Sequence, residues 1–192
     1  MVPKLGVPGR PAGGIDCLAQ IGGYATAFDA EQLRGVLTRA GYAHFLADGR
    51  FAPLDARVFK LRQQHGSQEV PTLVAASLLS KKLAVGVQRA GLDVRVSPYG
   101  NFGSSWNEAR TNARLFIRAA AQHSVQAYPV LTDGRQPYQP CIGRSEALLA
   151  LASVFDGSAS GWLAEHVEQC RALALAVAPE DGRAAADRKS VV

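Results

Sequence analysis

Polar and apolar residues alternate along this chain at two different periods. In "SLLSKKLAVG", residues 77–86, Ser77, Ser80, Lys81 and Ala84 fall at i, i+3, i+4 and i+7, along one side of a helix. Leu78, Leu79, Leu83 and Val85 take most of the opposite arc. A few residues later "LDVRVS" alternates apolar and polar side chains at period two, the mark of a strand. The same reading predicts helices in "DAEQLRGVLTRAG", "APLDARVFKLRQQHG" and "SSWNEARTNARLFIRAAAQHS", and a long one from about Pro71 to Gly86. A short helix in "IDCLAQIGG" and two more near 143–156 and 160–178 complete the helical set. "YAHFLA" and "VQAYPVLT" read as short strands.

The punctuation agrees with these limits. Asp29 stands at an N-cap with Gln32 three residues on, and Ser105 stands likewise before Glu108. Pro53 opens a helix, while Gly41 and Gly66 close two. Residues 1–14, with three prolines and four glycines, read as loop, and 179–192 as a flexible tail. Helices alternating with short apolar strands define an α/β class over residues 1–178, a sheet flanked by helices.

Composition narrows the class. Apolar residues make up 47% of the 192 residues and charged ones 19%, the profile of a globular protein. No apolar run approaches the ~20 residues a membrane span requires, and the first residues lack the apolar core of a secretory signal, so a cytoplasmic location is expected. Cys17, Cys141 and Cys170 are odd in number and far apart, matching neither a disulfide framework nor a zinc site; buried, inert thiols are expected. The net charge of +5 is spread over Arg34, Arg39, Arg50, Arg57, Lys60, Arg62, Lys81 and Lys82, among others, without an aromatic-studded basic stripe. That pattern gives only weak support to a nucleic-acid surface, and a modestly cationic cleft for a small anionic ligand explains the charge equally well.

The polar stripe admits two readings. It is either the wet side of an amphipathic helix or a place where the Ser77 hydroxyl and the Lys81 ammonium point together at a planar polar ligand. Arg62 stands at the end of the preceding helix, a few residues from the next through "HGSQE", and offers a planar fork of donors. The same arginine could instead offset the helix dipole. Lys82 is expected to face water. His44, His65, His123 and His166 lack metal spacing and read as surface or core residues, with His65 alone near the stripe. Asp55 reads as a local cap or pair, and Trp106 and Trp162 as packing residues. No hydrolase elbow and no Walker loop occurs.

At these residues the chain resembles a known family. "APLDARVFKLRQ" followed by "VPTLVAASLLSKKLAVGVQRAGLDVRV" is similar to the thymidine and pyrimidine-nucleoside phosphorylases, which show an A-P-x-D helix ending in L-R-D, then A-S-x-x-S-K-K-L-A and L-D-V-K-V. The similarity runs from about Val2 through "GGIDCLAQIGG", "AFDAEQL" and "VLTDGRQP" to "IGRSEAL", roughly 150 residues in order, which is more specific than one short motif. It implies a nucleoside phosphorylase or phosphoribosyltransferase-like catalytic domain, present in part. It also implies that Arg62, Ser77 and Lys81 contact the pyrimidine, with Lys81 and Arg62 stabilising charge on the departing base. Inorganic phosphate would be the co-substrate, with no cofactor and no metal. Nucleoside and phosphate would be the partners, with neither nucleic acid nor membrane, and a homodimer is possible although the family's dimer-forming helical domain has no counterpart in these residues.

Several positions depart from the family. Its K-x-S-x-G-G phosphate loop, with the histidine beside the base, falls upstream of residue 1, so the residues that bind phosphate are unassigned. A serine expected near "VPKLG" is Gly6, and G-x-G-H-T-G-G-T is shortened to "GRPAGGI". Gly13 and Gly14 could still attract an anion at a helix start. The Asp after the arginine is Gln63, and the "VGSGAFM" segment is "VSPYGNFG". The C-terminal α/β domain is expected after about residue 180 and lies outside the chain. The expected activity is phosphorolysis of thymidine or uridine to free base and (deoxy)ribose 1-phosphate, by this chain or by a larger whole to which it belongs. The alternative is a non-catalytic pyrimidine-binding remnant of the same fold.

Overall fold

The structure, a computed structural model, describes residues 1–10, 12–99, 102–136, 139–140 and 142–179. Its elements in chain order are β1 (Val2–Gly6), α1 (Gly14–Leu18), α2 (Ala30–Ala40), β2 (Tyr42–Leu46), α3 (Pro53–Gln64) and α4 (Pro71–Ala84). β3 (Arg89–Val96), α5 (Trp106–Ala121), β4 (Gln126–Asp133), α6 (Arg144–Phe155) and α7 (Trp162–Val177) follow. The class is mixed α/β, with two small parallel sheets, β1–β2 and β3–β4. The flexible tail expected at 179–192 lies, from residue 180 on, outside the described residues. The chain divides into two compact units, Met1–Val58 with Gln139–Ser160, and Phe59–Tyr138 with Gly161–Val192.

In the first unit β1 runs parallel to β2, from Val2 opposite Tyr42 to Gly6 opposite Leu46. This strand occupies residues expected as loop. A proline is tolerated at Pro3 because β1 pairs on one side only among the described residues, so a missing N–H need break no ladder bond. α1 and α2 lie in the crossover that two parallel strands require. α2 begins on the expected capping box: Asp29 accepts from the Gln32 N–H at 2.8 Å, and the Gln32 side chain accepts from the Asp29 N–H at 3.0 Å. It ends at Gly41, whose φ of 70° is left-handed. Phe45 is fully buried in this core, with Phe51 edge-on at 4.9 Å and Phe28 at 6.4 Å.

In the second unit β3 and β4 pair in parallel over eight residues, and α5 crosses between them. Ala109, Ala113, Phe116 and Ala120 follow one face of α5 and are almost wholly buried against Val94, Val96 and the α4 residues Val74, Ala75 and Leu79. α7 crosses β3 at Gly91, where a Cβ would stand 2.6 Å from Val177 Cγ2. Arg89 ties down the end of that helix, donating from Nε to the Val177 carbonyl at 2.7 Å and lying over the Tyr128 ring.

Three local expectations change. At the start of α5 only half of the capping box forms: Ser105 Oγ accepts from the Glu108 N–H, but the Glu108 carboxylate turns to the N–H and hydroxyl of Ser104. Those bonds lower its pKa. Trp106 and Trp162 keep 43% and 36% of their surface exposed, because each is the first residue of its helix and reaches past the packed face. Cys17 is buried as expected, whereas Cys170 is exposed on α7 with its Sγ 3.9 Å from His166 Nε2; Cys141 lies outside the described residues.

Candidate functional site

α4 carries two of the three site residues expected from the sequence. Pro71 at its first turn lacks an N–H that would have no helical partner there, which favours a helix start at that point. Ser77 and Lys81 follow one turn apart and are in direct contact. Lys81 Nζ donates to Ser77 Oγ at 2.8 Å and to the Ser77 carbonyl at 3.0 Å, and that carbonyl also accepts from Ser80 Oγ at 3.1 Å. The stripe is thus covered at its start and open at its end, where Ala84 is exposed. Ser77 is buried, and Ser80, Lys81 and Lys82 are half-buried.

Lys82 departs from its expected place in water. It falls four residues after Leu78 and three after buried Leu79, so it prolongs the covered side of α4. Burial, with the Lys81 charge beside it, holds its ammonium below the usual lysine range.

Arg62, the third expected residue, is only 5% exposed at the end of α3. Its donors close the turn into α4: Nε donates to the Ser67 carbonyl at 3.2 Å, and Nη2 to the Gln68 carbonyl. The guanidinium also lies 5.8 Å from the centre of the Phe59 ring. Gly66, with φ 62°, supplies the left-handed residue that lets the chain double back. The arginine thus fixes where α4 begins, a role that neither dipole compensation nor a cleft contact anticipated. Its partners are backbone carbonyls, which have no letter in a sequence. His65, expected nearest the stripe, is exposed. On another side of α4 an open groove of about 320 Å³ is lined by Thr72, Ala75, Leu79, Ser80, Leu83 and His123, among others.

The first unit holds the glycine-rich segment. Two of its backbone amides bond a side chain of the chain itself: Asp16 accepts from the Gly9 N–H at 2.9 Å and the Arg10 N–H at 3.2 Å. These bonds hold its carboxyl below the usual range, and Arg144 Nη2 stands 3.9 Å from Oδ1. Gly6, where the resemblance implies a serine, lies under His44. A Cβ there would come 2.6 Å from His44 Nε2 and 2.8 Å from Ile15 Cβ, so a serine and His44 cannot both occupy this place unchanged.

His44 is 4% exposed in β2, opposite Lys4 in register, and the Gly14 backbone closes on the ring. Burial, with the Lys4 charge second, lowers its pKa to about 4 from 6.5. The folded state therefore resists a proton that the unfolded chain accepts, and stability falls as pH drops from 6.5 toward 4. The loss approaches about 3 kcal/mol at the low end. His44→Leu removes this component. Urea titrations of both proteins between those limits should show their stability difference moving in favour of the variant as pH falls; parallel curves would contradict the buried neutral imidazole.

The fold is mixed α/β with small parallel sheets, and Ser77 and Lys81 form a hydroxyl–ammonium contact on one helix. The chain is related to the thymidine phosphorylase family. It is 35% identical over 148 residues to a thymidine phosphorylase of Mycobacterium tuberculosis (strain CDC 1551 / Oshkosh), covering 75% of this chain and 34% of that protein. A thymidine phosphorylase of Sinorhizobium fredii (strain NBRC 101917 / NGR234) is 28% identical over 170 residues, 88% of this chain and 39% of its own length. One from Burkholderia cenocepacia (strain HI2424) is 30% identical over 137 residues, 71% of this chain and 31% of its own. The chain spans about a third of the length of these curated relatives. No family model matches it. No helix among the described residues is long and apolar enough to cross a membrane.

Proposed function

We propose that this chain has a nucleoside phosphorylase-type fold and supplies the base side of a pyrimidine-nucleoside phosphorylase. The reaction is attack of inorganic phosphate on the anomeric carbon of thymidine or uridine, giving free base and (deoxy)ribose 1-phosphate, in the cytoplasm. The observation that carries this reading is the contact between Ser77 and Lys81 within a block that resembles the family's base-binding helix. Negative charge grows on the base as the glycosidic bond breaks, and a hydroxyl and an ammonium in a half-buried setting stabilise that charge more than the neutral substrate. Arg62 serves by setting the start of α4 as well as by its charge.

A second reading has its own support. With His44 over Gly6 and Asp16 on the Gly9 and Arg10 amides, the glycine-rich segment serves its own packing, which favours a protein that binds pyrimidines without turning them over. Incubation of the purified protein with thymidine or uridine and phosphate separates the two. Base release that is lost in Lys81→Ala supports the phosphorylase. Calorimetric binding of thymine or uracil without release supports the binding protein, and neither result would end both.

A further inference from the structure

His166 and Cys170 stand one turn apart on α7, with Cys170 Sγ 3.9 Å from His166 Nε2. Neither the cysteines among themselves nor the histidines among themselves have the spacing of metal ligands. Taken together, these two do, because donors at i and i+4 share one helix face and can grip a single ion. The fold also sets their direction. Leu173 and Val177 pack against Gly91 of β3, and at seven and eleven residues from His166 they lie on the same stripe of α7 as the pair. Cys170 is exposed, so a hydrated ion can reach the sulfur. His166 Nδ1 is buried, and Nε2 is the ring nitrogen turned to that sulfur.

We propose that His166 Nε2 and Cys170 Sγ ligate a zinc ion at the surface of α7, with water in the remaining positions. Zinc bonds sulfur at about 2.3 Å and imidazole nitrogen at about 2.0 Å, so two tetrahedral donors stand about 3.6 Å apart. The pair reaches that separation by a side-chain shift of about 0.3 Å. As the sulfur bonds the ion, the thiol gives its proton to solvent, and the imidazole binds in its neutral form. Sulfur and imidazole together suit zinc, whereas magnesium and calcium take oxygen ligands. Arg171, next in sequence to the thiol, pairs with Glu168 at 3.5 Å, which offsets the nearest cation along the chain. Two protein donors leave the ion open, unlike a closed structural zinc, so it exchanges with solvent and accepts a further donor.

Cobalt(II) is the probe, because its spectrum reports the donors that zinc would meet. The full chain, reduced and free of any metal-binding tag, is titrated with cobalt and then with zinc. A thiolate-to-cobalt charge-transfer band should appear in the near ultraviolet and fade as zinc displaces the cobalt. Cys170→Ser should abolish the band. His166→Gln should weaken cobalt binding at least about tenfold, since even the partners of metal ligands are worth that much. The nitrogen-15 shifts of the His166 ring in labelled wild type, recorded with and without zinc, read the same ligation with no substitution, and Nε2 should move to the position of a metal-bound nitrogen. The proposal is overturned by the absence of the band, by a band that survives Cys170→Ser or resists zinc, by unchanged affinity in His166→Gln, or by an unmoved Nε2.

Discussion

Arg62→Ala is expected to lower the unfolding free energy by about 2–4 kcal/mol, because it orphans two carbonyls of a tight turn and removes buried packing. The side chain is 5% exposed and bonds the carbonyls of Ser67 and Gln68, beside the Phe59 ring. Arg62→Lys keeps the charge but cannot span both carbonyls with one planar fork, so it should recover only part of the loss. Urea midpoints for the three proteins check this. An alanine variant that unfolds with wild type would mean that the turn into α4 stands without its clamp. Since α4 carries Ser77 and Lys81, the alanine variant should also lose pyrimidine affinity even under conditions where it stays folded.

Phe116→Ala is expected to cost about 3–5 kcal/mol, the range for emptying a fully buried aromatic site. Phe116 is 0% exposed on α5 and belongs to the cluster that joins β3 to Val74, Ala75 and Leu79 of α4. The neighbours Ala109, Ala113 and Ala120 are too small to refill the space. Denaturant unfolding measures the loss, and Phe116→Leu should restore much of it. A cost under 1 kcal/mol would mean that the ring lies in a loosely packed place, contrary to its burial.

The helices were legible in the sequence wherever the interactions that end them are local. Asp29 and Gln32 lie within one turn, and both halves of their box form. Glu108 shows the limit of such reasoning, because Ser104, one residue before the expected cap, competes for the same carboxylate. β1 was not legible: it is a strand only because Tyr42–Leu46 pairs with it from far along the chain, and its Pro3 and Gly6, in a segment rich in both residue types, read locally as loop. The arrangement as two separate two-stranded sheets is likewise a matter of long-range pairing. His44 could not be told from a surface histidine, since its low pKa comes from Gly6, Gly14 and Lys4 closing round it in the fold. At the candidate site, helical spacing brought Ser77 and Lys81 together on paper as they are in the structure. What spacing could not supply was the state of each group: that Ser77 is buried, that Lys82 is drawn in, and that Arg62 bonds the carbonyls of the turn.

The central claim is that the Ser77–Lys81 turn of α4 receives a pyrimidine base. An amide-resolved NMR titration of the labelled protein with thymine tests it most directly. Saturable shifts are expected at Ser77, Ser80 and Lys81 and in the 66–68 turn, with the midpoint moved to higher thymine concentration in Lys81→Met. Shifts confined to the glycine-rich segment of the first unit, or no shift at all with thymine in large excess, would contradict it.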